Sequence, residues 1–397
     1  MITSTKIRIY PSDDQKVTIN KFFGCARWLW NNSLAETQKA YKETGKGLGQ
    51  FALNKRLPAL KEEFPWLADT HSQVLQAVCL NMSRAFINFF ERRANYPKFK
   101  TKRSKQSIQY PQGVRLVSER KIYLPKIGEV KAAVHREIAG EIKTVTVSRS
   151  VSGKFFASIL VEDKTTPPAA SFEGQIVGID LGLTHLAVTS RGAKFENPKH
   201  LAKATKNLRR KQQKLSRKVQ GSNSRNKARI IVAKVHERIA NTRKDFLHKL
   251  SRRLVDENQV IAIESLSVKE LMKRHCVARS ISDVGWGLFS SFLEYKSARV
   301  GKGFVKVDRF FPSSKLCSNC LRAKEHLSLD ARSWLCVHCG TRHDRDINAA
   351  KNIRLEAQRM IAAGIAGTAN GGKVSRGKGR RSSVLAPAVE VGSPSFV

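Results

Sequence analysis

Long apolar runs are missing from this 397-residue chain: nowhere do apolar side chains continue for the ~20 positions that a bilayer-spanning helix needs. The opening M-I-T-S-T-K-I-R-I-Y also lacks the apolar core of a signal peptide, so neither a membrane anchor nor export is expected. Acid is scarce, with 32 Asp and Glu against 73 Lys and Arg, a formal charge of +41 and a pI near 10.4. Such a deficit excludes a self-neutralised surface. A polyanionic partner relieves the repulsion, and nucleic acid is the first candidate. Cysteine is scarce too, only seven residues, which excludes a dense disulfide framework; paired cysteines in a reducing compartment favour zinc instead. Hydrophobic residues are not scarce. At 41% they allow two or three domains with real cores and exclude a wholly disordered basic chain.

In chain order, residues 4–10 alternate Lys6, Arg8 and Tyr10 with Ile7 and Ile9, which predicts a half-buried strand. Ser12 and Gln15 are spaced as a capping box, and the helix they open carries Phe22, Phe23, Ala26 and Leu29 on one side, ending before the glycine-spaced loop 45–49. A shorter helix is expected over about 51–63, before Pro65. A stronger one over about 71–92 carries Val74, Val78, Met82, Phe86 and Phe89 at helical spacing, which makes them core rather than nucleobase stackers. In 96–105, Tyr96 and Phe99 interleave with Lys98, Lys100, Lys102, Arg103 and Lys105; a solvated charge run and a nucleic-acid contact fit this stretch equally. Strands follow at 122–124, 142–147 and 155–161, the last two joined through Gly153, and the proline-bearing stretch 166–173 reads as a linker.

The second half opens with a strand at 175–180 and an antiparallel partner at 186–190. Between Lys199 and Arg253 stand 19 Lys or Arg and only two acids, Glu237 and Asp245, in a proline-free helical pattern broken near 221–224. Like charges at i,i+4 weaken a helix by a few tenths of a kcal/mol each. A counter-charge is the better account, so Arg209, Arg210 and Lys211 become nucleic-acid candidates. Strands at 260–263 and 304–307 enclose a helix marked by Trp286, Phe289 and Leu293, and a final helix runs from Ile347 to Gly364. Residues 370–397, rich in Gly, Ser, Lys and Arg, read as a disordered basic tail.

Two constellations carry chemistry. Cys317, Cys320, Cys336 and Cys339 form two C-x2-C pairs, the spacing that places four thiolates around one tetrahedral Zn²⁺ and leaves no open position for a substrate. Cys25, Cys79 and Cys276 have no partner spacing. Three acids stand at the ends of apolar elements: Asp180 closes I-V-G-I-D, Glu264 closes V-I-A-I-E, and Asp346 opens the last helix. One mixed sheet could gather all three at a single edge. Close together they would repel and take up protons unless divalent cations intervened, and carboxylates select Mg²⁺ or Mn²⁺. Two such ions activate a water and stabilise the departing oxygen of a phosphodiester. Gly178 and Gly182, flanking Asp180, are expected to admit metal or substrate close to the backbone. Singly each acid has an ordinary alternative, turn capping for Asp180, a strand exit for Glu264 and a helix N-cap for Asp346.

G-I-D-L-G-L at 178–183, I-E-S-L at 263–266, S-I-S-D-V-G-W-G at 280–287, F-P-S-S-K-L-C at 311–317, the four cysteines and H-D-R-D-I-N-A-A-K-N-I at 343–353 together resemble the TnpB family. These are proteins of bacterial and archaeal insertion sequences, related to the type V CRISPR nucleases. The resemblance spans nearly the whole chain. It implies an α/β plus β-barrel architecture: a RuvC-like nuclease domain of RNase H fold over 174–311 and 344–369, with a zinc ribbon inserted at 312–343. Before it would come a wedge-like β-barrel, 1–10 and 96–165, carrying a helical recognition domain, 11–95. It further implies an RNA-guided endonuclease cutting double-stranded target DNA beside a short flanking motif, with a guide RNA made from the element's own end. No second copy of the chain is required, and the setting is the cytoplasm and its nucleoid. Asp180, Glu264 and Asp346 would be the catalytic metal-binding acids, with Asp344 supporting or structural; Asp283 also falls in a shared motif, where starting a helix would account for it. Gln76 falls where the family contacts the flanking motif. A catalytically silent nucleic-acid-binding regulator and a strand-transfer transposase are the alternatives.

Overall fold

The computed structural model describes residues 1–273, 275–328 and 331–365. Two compact units divide the chain, Met1–Thr165 and a second beginning at Thr166. The expectations for 366–369 and for the tail 370–397 lie outside the described residues.

In the first unit, β1 (Ile2–Tyr10) buries Ile7 and Ile9 completely while Lys6 and Tyr10 stay exposed, as its alternation demands. Ser12 and Gln15 form the reciprocal capping box, and α1 (Asp13–Thr44) runs 32 residues to a left-handed Gly45. The helix expected over 51–63 is two, α2 (Gln50–Lys55) and α3 (Leu57–Glu63), because Pro58 stands in the first turn of the second and cannot continue the first. Then come α4 (Ser72–Phe90), β2 (Gln106–Tyr110), β3 (Arg115–Ser118), β4 (Lys121–Leu124), β5 (Gly128–Ala133), β6 (Glu141–Arg149) and β7 (Phe155–Glu162). The seven strands form one antiparallel sheet in the order β2-β6-β7-β1-β5-β4-β3. Its edges β2 and β3 are not paired to each other, so the expected barrel is a half-barrel. Phe22, Phe23 and Ala26 of α1 and Val74 of α4 pack into its core. A second core, with Leu29, Leu34, Leu53, Leu57, Leu67, Leu75 and Met82, joins the helices to one another.

In the second unit, β8 (Ile176–Asp180), β9 (His185–Thr189) and β10 (Lys194–Glu196) form an antiparallel meander. The basic segment follows as α5 (His200–Ser216) and α6 (Asn223–Glu257), whose N-cap is Ser222. Next come β11 (Val260–Glu264), α7 (Val268–Leu271), α8 (His275–Val284), α9 (Trp286–Arg299) and β12 (Gly303–Val307). A small hairpin, β13 (Ser333–Leu335) and β14 (Arg342–Asp344), leads into α10 (Arg345–Ala362). The main sheet has the order β10-β9-β8-β11-β12, with β8, β11 and β12 parallel. Both of its faces are covered, as parallel strands require. Val177, Ile179, Ile261 and Ile263 pack with Leu247 and Leu250 of α6 and Phe289 and Leu293 of α9. Val260, Ala262, Val305 and Val307 pack with Ile353 and Ala357 of α10.

Two expectations change here. The end of the linker is not free, because Ser171 is bridged to Lys302 and its N–H donates to the Gly301 carbonyl. Gly178 does not open the backbone to substrate. It faces α10, where a Cβ would lie 2.1 Å from the Ala350 carbonyl oxygen and 2.6 Å from the Arg354 nitrogen. Gly182 is likewise filled, with the His185 carbonyl oxygen 2.9 Å from the place of its Cβ. Both glycines serve close packing. Gly178→Ala is therefore expected to cost ~3 kcal/mol, the upper range for overpacking, by forcing α10 off the sheet. Chemical denaturation of the second unit reads this directly, and an unchanged midpoint would contradict it.

Candidate active site

Ile179 of β8 lies directly across from Ile263 of β11. The next residue on each strand, Asp180 and Glu264, therefore leaves the sheet side by side at its C-terminal edge. On the face crossed by α10, contact falls at Ala350, opposite Gly178. Asp346 stands one helical turn earlier, toward that same edge. Asp180 consequently feels the charge of the other two. Burial first, then the charge of Asp346, then that of Glu264, push Asp180 up to about 7, against the pull of Arg345 and the Leu181 N–H. Burial also raises Glu264.

Of the two acids at the start of α10, the family pattern points to Asp346 as the metal-binding one, with Asp344 supporting or structural. Asp344, not Asp346, is the N-cap of α10: its Oδ1 accepts from the N–H groups of Asp346 and Ile347, both at 3.1 Å. Its Oδ2 takes the Lys194 ammonium at 2.6 Å. Burial opposes ionisation of Asp344, but Lys194 and these N–H groups outweigh it and hold the carboxyl below its usual value. With both oxygens occupied, Asp344 anchors the helix start, while Asp346 lies near enough for its charge to act on Asp180. Asp344→Asn retains a capping oxygen, so its cost should be confined to ~1 kcal/mol of stability and a few-fold in activity. Asp346→Asn should remove activity. Equal losses in the two variants, measured at matched folding, would undo this division.

Asp283 also changes role. Standing near the end of α8, its buried carboxylate accepts from the Leu201 N–H at 2.9 Å, capping α5, and pairs with Arg243 at 2.8 Å. It ties the basic helical pair down rather than starting a helix. His185 was not legible as a site residue. It opens β9 and brings Nδ1 to 3.9 Å from Asp346 Oδ2 and Nε2 to 3.3 Å from Glu196 Oε1. Only the strand register, not sequence distance, reveals this.

The four cysteine sulfurs lie within 4.8 Å of one another, with Cys317–Cys339 and Cys320–Cys336 each at 3.6 Å. A Zn–S bond of ~2.3 Å sets a tetrahedral edge of ~3.8 Å, so the donor set fits Zn²⁺. Thr341 hydrogen bonds pull the Cys339 thiol down to about 6, toward the thiolate that a metal needs. His343 Nε2 contacts Cys317 Sγ at 3.0 Å, and its ring packs on Trp334. Below the knob, Asn348 Nδ2 donates to the Leu316 carbonyl and Asn352 Nδ2 to those of Ser313 and Leu316. Cys25 and Cys79 are buried in the first unit, and Cys276 is exposed on α8.

The nucleic-acid candidates are less uniform than their sequence suggests. Gln76, Lys98, Lys102, Arg103, Arg209 and Arg210 are exposed, and Lys211 is half-buried. The 98–100 stretch is docked on α1, where Trp30 Nε1 and Asn31 Nδ2 donate to the carbonyls of Lys98 and Lys100. Lys100 is exposed as a residue, but its ammonium lies over the Trp30 ring, 3.5 Å from its centroid, and desolvation there lowers its pKa to about 8.

Residues 158–275 match the family OrfB_IS605, described as "Probable transposase", and residues 286–353 match the "Cas12f1-like, TNB domain". Residues 1–46 match a "Helix-turn-helix domain", although this stretch folds as β1 and one unbroken helix followed by its cap. A "Putative RNA-guided DNA endonuclease" of Streptomyces pristinaespiralis is 40% identical over 372 residues, covering 92% of this chain and 90% of that protein. InsQ of Escherichia coli K12, named in the same way, is 32% identical over 377 residues, covering 90% and 93%. The protein in a Cas12f1–sgRNA–target DNA complex aligns with TM-score 0.54 at 14% identity, covering 89% of this chain and 98% of that one. Half-barrel sheet and four-cysteine knob together define a Cas12f1-like fold. Within that class, identity to the two bacterial relatives places the chain in the TnpB family. Among the described residues, no helix is long and apolar enough to cross a membrane.

Proposed function

We propose that this protein is an RNA-guided DNA endonuclease of an insertion sequence, hydrolysing phosphodiesters at a RuvC-like site of RNase H fold. The observation that carries this reading is the convergence of Asp180, Glu264 and Asp346 at one sheet edge, where burial, with the charges of Asp346 and Glu264 adding to it, raises Asp180 to about 7. Carboxylates held against their own repulsion fit a divalent cation, and Asp180, Glu264 and Asp346 would hold Mg²⁺ or Mn²⁺ there. When bound, such ions supply an activated water and charge for the departing oxygen. The chain contributes the rest. Strands β8 and β11 fix two carboxylates, Asp344 and Lys194 lock the start of α10, and burial restricts water around Asp180.

The charge of +41 suits a polyanion, and the names of the relatives direct it to a guide RNA from the element end and double-stranded target DNA. Base pairing would read the target while the protein reads duplex shape and a short flanking motif. In this reading the first unit provides the wedge and recognition parts, with Gln76 on α4 toward the flanking motif, and the cysteine knob is a structural zinc ribbon. A single chain supplies all three acids.

The test is purification of the ribonucleoprotein, sequencing of its RNA, and cleavage of matched DNA with and without Mg²⁺. Guided cutting that EDTA stops, with no covalent protein–DNA product, is the expected result. Strand joining to a donor end would favour a transposase, and guided binding without any cutting would favour a silent regulator; either overturns the proposal.

A further inference from the structure

We propose that Phe310, with the Arg309 guanidinium packed against its ring, is a stacking platform for an unpaired nucleobase of the DNA strand being cut. The inference rests on the endonuclease reading given above and adds a substrate contact outside the three acids. Val307, the last residue of β12, lies directly across from Glu264 in the parallel ladder, and its carbonyl accepts from the Ser265 N–H at 2.9 Å. Phe310 follows three residues later. Neighbouring strands stand ~4.8 Å apart and three residues of chain span at most ~10 Å, so Phe310 emerges beside Glu264, at the edge that gathers the acids.

The turn that carries Phe310 is fixed on both sides. Asp308 Oδ1 accepts from the Phe310 N–H at 2.8 Å, and the Asp308 carbonyl accepts from the Phe311 N–H at 3.1 Å. Phe311 turns inward and packs against the core of Val305, Val307 and Ile353. Just beyond it, the Ser313 carbonyl is held by Asn352 Nδ2 of α10 at 2.7 Å. Two adjacent phenylalanines therefore have opposite fates: Phe311 anchors the turn, and Phe310 is left 77% exposed. Folding does not account for Phe310, because a ring this open removes little apolar surface from water.

What surrounds the ring selects the ligand. The Arg309 guanidinium lies 4.5 Å from the Phe310 centroid and reaches Glu270 of α7 at 3.3 Å. Both members of that ion pair are exposed, so it is weak enough to yield the guanidinium to a phosphate. A flat apolar ring beside a planar cation matches a nucleotide, the ring taking the base and the guanidinium the phosphate. A protein partner would call for a broad apolar patch, whereas one ring beside a charge offers a footprint the size of a nucleotide. A base inside a duplex shows only its edges, so the occupant is unpaired. The acids one strand away decide which nucleic acid supplies it. A nucleotide seated on Phe310 belongs to the strand whose phosphodiester reaches Asp180 and Glu264, not to the guide.

The experiment uses the full ribonucleoprotein with matched DNA carrying the fluorescent base 2-aminopurine at single positions around the cut. In the Asp180→Asn background, which holds the strand uncut, one position should be quenched by stacking. Adding Phe310→Ala should abolish that quenching, and Phe310→Tyr should keep it. With Asp180 intact, Phe310→Ala is expected to slow cleavage ~10-fold, the loss of one base–aromatic stack, and Phe310→Tyr to recover most of it. The loss should be the same at ~50 and ~200 mM salt, because stacking, unlike a phosphate contact, releases no counterions. Retained guide RNA and unchanged melting in both variants set a lost contact apart from a damaged fold. Native cutting by Phe310→Ala, an equal loss in Phe310→Tyr, the absence of any quenched position, or quenching that survives Phe310→Ala overturns the assignment while the three-acid reading stands. Absence of guided cutting by the unsubstituted ribonucleoprotein defeats the endonuclease reading, and the Phe310 assignment with it.

Discussion

Asp180→Asn will lose DNA cleavage by ~10³-fold or more, about 4 kcal/mol of barrier, while retaining its RNA. The substitution keeps size and hydrogen-bonding capacity, so the half-barrel, the basic helices and the cysteine knob are untouched. What disappears is the charge at the centre of the triad. The same variant carries a second signature. In the metal-free protein the Asp180 carboxyl holds its proton up to about 7, above the ~3.9 of an unfolded Asp. The folded state therefore binds that proton more tightly than the unfolded state. Its stabilising effect is full below the unfolded value and is lost as pH rises through about 7. Metal-free native protein should melt progressively lower as pH rises from 5.5 through 7, Mg²⁺ should restore the loss most above 7, and Asp180→Asn should show a weaker form of both dependences, since burial raises Glu264 as well. Melting curves across that range, beside cleavage and RNA retention, separate a lost ligand from a damaged fold. Loss of RNA together with cleavage would mean that Asp180 has another job.

The elements that were easiest to read carry a pattern within a few neighbouring residues. The alternation of β1, the capping box at Ser12 and Gln15 and the apolar stripe of α4 are such patterns, and each survives into the structure. The ends of β8 and β11 were readable for the same reason, since an apolar run closed by an acid marks a sheet edge. What local pattern could not give was which strands are neighbours. The open edges of the half-barrel depend on β2 and β3, short strands whose partners β6 and β4 are not identifiable from composition. The contact at Gly178 depends on a helix more than 150 residues later. A glycine beside a candidate acid invites a reading of open space, and only the approach of Ala350 and Arg354 shows that the space is already filled. His185 was hidden in the same way: its neighbours are Asp346 and Glu196, one across the site and the other across a strand pair.

Removal of zinc should have the second large effect, and α10 is the route by which it reaches the acids. The knob is held to that helix through two asparagines: the Asn348 amide group bonds the Ser318 N–H and the Leu316 carbonyl, and Asn352 bonds Ser313 and Leu316, while within the knob His343 meets Cys317. Asn348 and Asn352 are buried, so freeing the loop that satisfies them leaves polar groups of α10 unpaired at ~1–3 kcal/mol each. Asp344 and Asp346 lie on the same short path, since β14 ends at the N-cap of α10 and pairs with β13 inside the knob. Loss of the four-thiolate site should therefore loosen the start of α10, displacing Asp346 while β8 and β11 still hold Asp180 and Glu264. Cys336→Ser, or native protein treated with a strong chelator and returned to Mg²⁺, is expected to lose ~10²-fold in cleavage, in line with the cost of a ligand held out of position. Proteolysis should open within 317–343, whereas the half-barrel unit should keep its own melting transition. Restoring Zn²⁺ should recover the chelated protein but not Cys336→Ser, and Cys276→Ser, changing an exposed thiol outside the knob, should behave as native. Full cleavage by protein shown to be free of zinc would separate the knob from the acids and leave Asn348 and Asn352 without the role assigned to them.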